Sequence, residues 1–191
     1  MTKLRPLPQT FFRRDVDVVA RALIGTVLTV GGVGGVIVET ESYDPDDPAS
    51  HAYERRQTQR NAVMFGPPAH AYVYRIYGMH WCLNFTCGDA SAVLIRALEP
   101  RYGIARMQAR RGTDTLTGLC SGPGKLCQAL GITGAQNGHA LYEPPFALSR
   151  AAGRVAVASG VRIGITKARD LERRFGLAGS PYLSRRFPEV K

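Results

Sequence analysis

Apolar residues along the chain recur with a period that changes from segment to segment. Between Val16 and Leu23 they fall at helical spacing after Asp15 and stop before Gly25. This predicts a short amphipathic helix with an aspartate at its start and a glycine stop. Residues 26–30 and 35–43 are strand-like on either side of Gly31-Gly32-Val33-Gly34-Gly35, which predicts a β-hairpin. From Asp44 to Pro68 the periodicity fades, and proline, aspartate, arginine and glutamine take over. A loop of that length is usually functional or disordered. Two strands follow, Ala71–Ile76 and His80–Thr86, joined at Tyr77-Gly78-Met79, and then residues 92–98, whose apolar residues on both faces suit a central strand. Residues 100–111 and Pro123–Leu130 have helical spacing, each opened by a proline that suits a first turn. A strand within 155–165 and a short charged helix over 168–175 complete the pattern. The sum is a mixed α/β fold of the α+β kind. It is expected to be a single compact domain with a curved, mostly antiparallel sheet, flanking helices and a protruding β-hairpin.

The 191 residues, 45% of them hydrophobic, can bury a sizeable core. The longest apolar windows near the start are interrupted by Arg21 and Gly25, so neither a leader nor a membrane span is expected and the protein should be soluble and intracellular. The formal net charge of +10 would gather polyanions, nucleic acid foremost. Lysine occurs only at positions 3, 125, 167 and 191, so the cations are nearly all arginines, which suit bidentate phosphate contacts. Cys82, Cys87, Cys120 and Cys127 match no zinc spacing and are expected to be reduced, partly buried thiols.

Strand alternation in Ile37-Val38-Glu39-Thr40-Glu41-Ser42-Tyr43 puts Glu39, Glu41 and Tyr43 on one face, with Val36 and Val38 behind them. Arg96, inside an apolar strand, needs a carboxylate partner or a polar cavity. Glu39, Glu41 and Glu99 are candidate partners. Tyr72, Tyr74, Tyr77, Trp81 and Phe85 cluster on the central hairpin; Trp81 and Phe85 are expected in the core, and the others could sandwich a planar ring. A large aromatic displayed on the tight turn at Tyr77 would suit insertion between DNA base steps. The acidic loop with His51 has loose metal-ligand chemistry, but its spacing fits neither a calcium loop nor a zinc helix, and no metal is expected.

These segments, taken in order, resemble the mammalian-type alkyladenine (3-methyladenine) DNA glycosylase family. The likeness is carried by Phe11-Phe12, Ala20 to Gly25, Val38 to Tyr43, His51, Arg56-Gln57-Thr58, Arg60-Asn61, Met64-Phe65, Tyr72-Val73-Tyr74, Ile76 to Met79 and Asn84. It continues through Leu94 to Pro100, Leu119 to Leu130 and Gly179-Ser180-Pro181. The resemblance implies a monofunctional glycosylase of base excision repair, without cofactor or metal, acting as a monomer on double-stranded DNA that contains damaged purines. It implies that Glu41 is the general base and that Arg96 helps to hold the attacking water. Tyr43, His51 and Tyr74 would wall a flipped base, and Asn84 would crowd the exocyclic amine of guanine. Tyr77 would fill the gap in the duplex, while Arg56, Thr58, Met79, His80 and Lys125 would lie against the DNA backbone. Gln59 stands where the family often has proline, and His80-Trp81 replaces a more usual aromatic pair; both bear on DNA contacts rather than on the chemistry. A non-enzymatic binder of structured nucleic acid and a metal-dependent hydrolase built on the acidic loop are the competing functions.

Overall fold

The computed structural model describes residues 6–150 and 153–188. Helix α1 (Val16–Leu23) forms as predicted, with the Asp15 carboxylate accepting from the N–H groups of Asp17 and Val18, two first-turn donors that otherwise lack partners. Its inner face buries Val16, Val19, Ala20 and Leu23. Gly31 and Gly32, at φ of 55° and 75°, form a two-residue turn with the left-handed geometry that such hairpins need. They join β1 (Val27–Val30) to β2 (Val33–Tyr43).

The second strand therefore starts earlier than predicted, and Val33 and Gly34 belong to it rather than to the turn. A Cβ at Gly35 would stand 1.8 Å from the Glu99 carbonyl oxygen, so the neighbouring backbone is admitted only because no side chain is there. This contact explains a second correction. The predicted helix over 100–111 begins late, because β5 (Ala92–Tyr102) runs on through Pro100, which pairs with Gly35, before α2 (Ile104–Arg111) starts after Gly103. Gly35→Val is expected to destabilise the protein by about 3 kcal/mol or more, a fall in melting temperature of roughly 6–12 °C. Gly31→Asn, in open space at a positive φ that asparagine tolerates, should cost far less. Thermal melts of the two variants check this.

The eight-stranded sheet has the order β3 (Ala71–Ile76), β4 (His80–Thr86), β5, β2, β1 and β6 (Phe146–Ser149). Beyond β1, the same edge of β2 is taken by β8 (Arg174–Leu177), which in turn pairs with β7 (Val157–Gly160). Every pairing is antiparallel, and with the flanking helices this is the expected α+β architecture. Two tail expectations need correction. The strand within 155–165 ends at Gly160, because Arg162 and Ile163 leave the sheet to bond Asp47 and Glu41. No helix forms over 168–175; its last residues join the sheet as β8, where Arg174 reaches Glu39, so tertiary partners override helix propensity.

One face of the sheet carries the main core, where α4 (Pro123–Leu130) covers β4 and β5, and α1 covers β2. Phe85 is fully buried there and Trp81 half-buried against it. All four cysteines are free and buried, as expected for reduced thiols. The opposite face carries a smaller cluster of Ala52, Met64, Tyr72, Ala90 and Ala92. Among the described residues, no helix is long and apolar enough to cross a membrane.

Candidate active site

The site depends on an irregularity in β2. The register with β5 slips between Ile37 and Glu39 and again before Thr40, a bulge at Val38. Ahead of the bulge, Val33 and Ile37 enter the main core. Beyond it, the residues on that side are Thr40, whose hydroxyl donates to the Ala20 carbonyl (2.9 Å), and Ser42, which donates to Asp17. Glu39, Glu41 and Tyr43 thus share the opposite face, as alternation predicts, but their backing is Ile37 and Thr40 rather than Val36 and Val38. Without the slip, Ile37 and Glu39 would point the same way, and a carboxylate would enter the apolar core.

Arg96 projects from β5 between the two acids. Its Nε donates to Glu39 Oε1 at 3.1 Å and its Nη1 to Glu41 Oε2 at 3.2 Å, so it pairs with two of the three candidates, while Glu99 pairs with Arg101. Glu39 is also held by Arg174 Nε (2.7 Å) and by the hydroxyl and backbone N–H of Ser184 (2.7 and 2.5 Å). Glu41 accepts at Oε1 from the Ile163 N–H (2.8 Å) and at Oε2 from the Tyr43 hydroxyl (2.8 Å) as well as Arg96. Both carboxylates and Arg96 are buried. Removal from water pushes the Glu41 carboxyl above the ordinary carboxylate range, against the pull of Arg96, Ile163 and Tyr43.

In front of Glu41 lies a cavity of about 180 Å³, lined by Tyr43, His51, Tyr72, Tyr74 and Asn84 with Met64, Gly164 and Ile165. It is small beside the ~300–1,000 Å³ of ordinary ligand pockets, a size for one planar group. Glu41 is not on its wall; the Tyr43 hydroxyl, which donates to the carboxylate, links the two. Tyr72 and Tyr74, two apart on β3, share its face, with ring centres 5.3 Å apart. His51 meets the Tyr74 ring edge-on at 4.6 Å and shares a 2.8 Å hydrogen bond with the Tyr72 hydroxyl. The Asn84 amide donates to the Tyr72 carbonyl at 3.1 Å. The long loop is tied behind this wall by buried Asn61, whose amide donates to the carbonyls of His51 and Arg56.

Burial, and then the nearby Arg60, hold the His51 pKa below its ordinary 6.5, so the ring is neutral at pH 7. As pH falls below about 6.5 the unfolded chain takes up a proton that the folded site refuses, and stability is expected to decline. An imidazole NMR titration should place the folded midpoint below 6.5; a midpoint at or above that value would show that burial and Arg60 do not disfavour the charged ring.

Residues 10–181 match the family model described as methylpurine-DNA glycosylase. The chain belongs to that family. It is 58% identical over 181 residues to a protein of Agrobacterium fabrum (95% of this chain, 93% of the relative). It is 59% identical over 182 residues to one of Rhodopseudomonas palustris (94% and 90%), and 57% over 180 residues to one of Nitrosospira multiformis (93% and 92%). Each is named "Putative 3-methyladenine DNA glycosylase". The protein is thus a DNA glycosylase, an enzyme of DNA repair whose substrate is DNA.

In this glycosylase the remaining sequence-predicted residues lie outside the cavity. Tyr77, at φ 52° and 81% exposed, caps the β3–β4 hairpin, and Met79 beside it is 67% exposed. His80 packs close to Gly124 at the start of α4, which brings exposed Lys125 to the hairpin's flank. Arg56 and Thr58 are exposed on the long loop, the latter bonded to Asn61. Sequence reasoning gave no site role to Arg60, whose guanidinium lies 5.0 Å from the Tyr74 ring centre, or to Met64 and the 162–165 segment, whereas Tyr72, one of the aromatics expected to face a planar ring, lines the cavity. The tail is rich in arginine throughout, and nothing in its composition marks Arg162 and Arg174 as the two that turn inward. The acidic loop is taken up by arginines: Asp47 bonds Arg162, and Asp44 bonds Arg173.

Proposed function

We propose that this glycosylase excises alkylated or deaminated purines, of the 3-methyladenine, 7-methylguanine, hypoxanthine and ethenoadenine type, from double-stranded DNA. The observation that carries this reading is the juxtaposition of the buried Glu41–Arg96 pair with an aromatic cavity of single-base size, joined through the Tyr43 hydroxyl.

A stacked base cannot present its glycosidic bond to protein-held water, so the nucleotide is flipped out, as the general rule for glycosylases requires. Exposed Tyr77 fills the space left in the stack, and Arg56, Thr58, Met79, His80 and Lys125 grip the flanking backbone. The flipped base enters between Tyr43, His51 and Tyr74, with Asn84 set against the amine of normal guanine. A carboxylate offers about four acceptor positions; three on Glu41 are filled, and the fourth is left for a water that Arg96 helps to orient. As the bond to the base lengthens, the sugar gains oxocarbenium character, which the Glu41 charge stabilises while the carboxylate takes the water's proton.

A lyase step would need an amine to form a Schiff base with the sugar. Among the described residues the lysines are Lys125 and Lys167, both exposed and neither lining the cavity, which supports release that stops at an intact abasic strand. The protein acts as a monomer and a single domain, with no metal or other cofactor. The test is to incubate it with duplexes that each carry one lesion, in excess EDTA, and to measure free base and strand breaks separately. Base release without breaks supports the reading. No release from any duplex, or breakage without alkali, overturns it.

A further inference from the structure

Asp47 and Arg162 form an ion pair with no exposed side-chain surface. Beyond Asp47, the Arg162 guanidinium donates to the carbonyls of Ser42 (3.0 Å) and Ala168 (3.3 Å), yet its Nε has no acceptor among the described residues. The guanidinium carbon lies 4.6 Å from the centre of the Tyr43 ring. Tyr43 lines the cavity and Arg162 does not, which fits a cation held on the side of the ring turned away from the space a base would enter.

We infer that Arg162 is a specificity-determining positioning residue, which sets through the Tyr43 ring how strongly the cavity prefers cationic over neutral purine lesions. The inference rests on the proposed base-binding role of that cavity. An aromatic face attracts a cation through its π-electron quadrupole. A guanidinium against one face already draws on that density. It also repels a second cation stacked on the opposite face, which would lie about 8 Å away across the ring. Asp47 neutralises the pair as a whole, but the guanidinium is the member in contact with the ring. A neutral base feels neither effect. Arg162 therefore lowers the advantage of N-alkylated, positively charged bases and keeps the pocket open to uncharged ones such as hypoxanthine. The Tyr43 hydroxyl bond to Glu41 works the other way, by feeding electron density into the same ring.

Two double variants remove the charge without stranding its partner. Asp47→Asn with Arg162→Gln keeps hydrogen-bonding groups in place. Asp47→Leu with Arg162→Met replaces the pair by apolar side chains, an exchange that buried ion pairs often tolerate. Single-turnover release of 7-methylguanine and of hypoxanthine is measured from matched duplexes. In whichever variant melts cooperatively, the ratio of the first rate to the second is expected to rise about 3- to 30-fold. A purely structural role would slow both rates by one factor and leave the ratio alone, and that result, or a fall in the ratio, overturns the inference. Wild-type protein that releases neither base overturns the proposed function itself and the inference with it.

Discussion

Glu41→Gln is expected to slow base release by about 10²- to 10⁴-fold, the range for loss of a general base, while lesion-containing duplex still binds. The amide fills the same space and can still accept from the Tyr43 hydroxyl, so the cavity wall keeps its shape. What disappears is the charge that stabilises the sugar and the base that takes water's proton. Single-turnover release beside a binding isotherm separates the two effects. Release at the wild-type rate would move the catalytic role elsewhere, with Glu39 the nearest alternative carboxylate. Glu39 is already occupied by two arginines and Ser184, which makes it a structural anchor by geometry.

Arg96→Gln should have the second largest effect, on stability as well as rate. Removing one partner from a buried ion pair typically costs about 3–5 kcal/mol, which lowers the melting temperature of a chain this size by roughly 6–20 °C. Glu39 keeps Arg174, but Glu41 loses the only guanidinium that bonds it among the described residues. Burial already raises the Glu41 carboxyl, and loss of the cation raises it further. A protonated Glu41 cannot accept a proton, so activity fails as pH falls through its pKa. The acid limb of the rate profile should therefore move to higher pH in the variant. An unmoved limb would mean that Arg96 does not govern the charge on Glu41.

Most of the sheet was legible in the sequence because its strands carry their own signals: alternation in Ala71–Ile76 and His80–Thr86, a continuous apolar run in β5, a glycine pair at the first turn. The failures share a cause. Residues 100–102 continue a strand because Gly35, far away in sequence, lets another backbone approach, and residues 174–177 are a strand because Arg174 is drawn to Glu39. No local window contains that information. For the site, the acid-bearing face of β2 was legible from alternation, but the Val38 bulge that reconciles it with a core-facing Ile37 was not. Arg96 declared itself because a charge inside an apolar strand demands an explanation. Arg162, among many tail arginines, made no such demand.

The buried cysteines have a chemical consequence for an enzyme that meets DNA carrying alkyl groups. An alkylating electrophile attacks a thiolate, not a thiol, and must also reach it. Burial pushes Cys87 and Cys120 up to about 12, and raises Cys82 and Cys127 as well, so at neutral pH hardly any thiolate exists in the folded protein. The four thiols are thereby shielded from the reagents that damage the enzyme's substrate, and their alkylation would have to begin with unfolding.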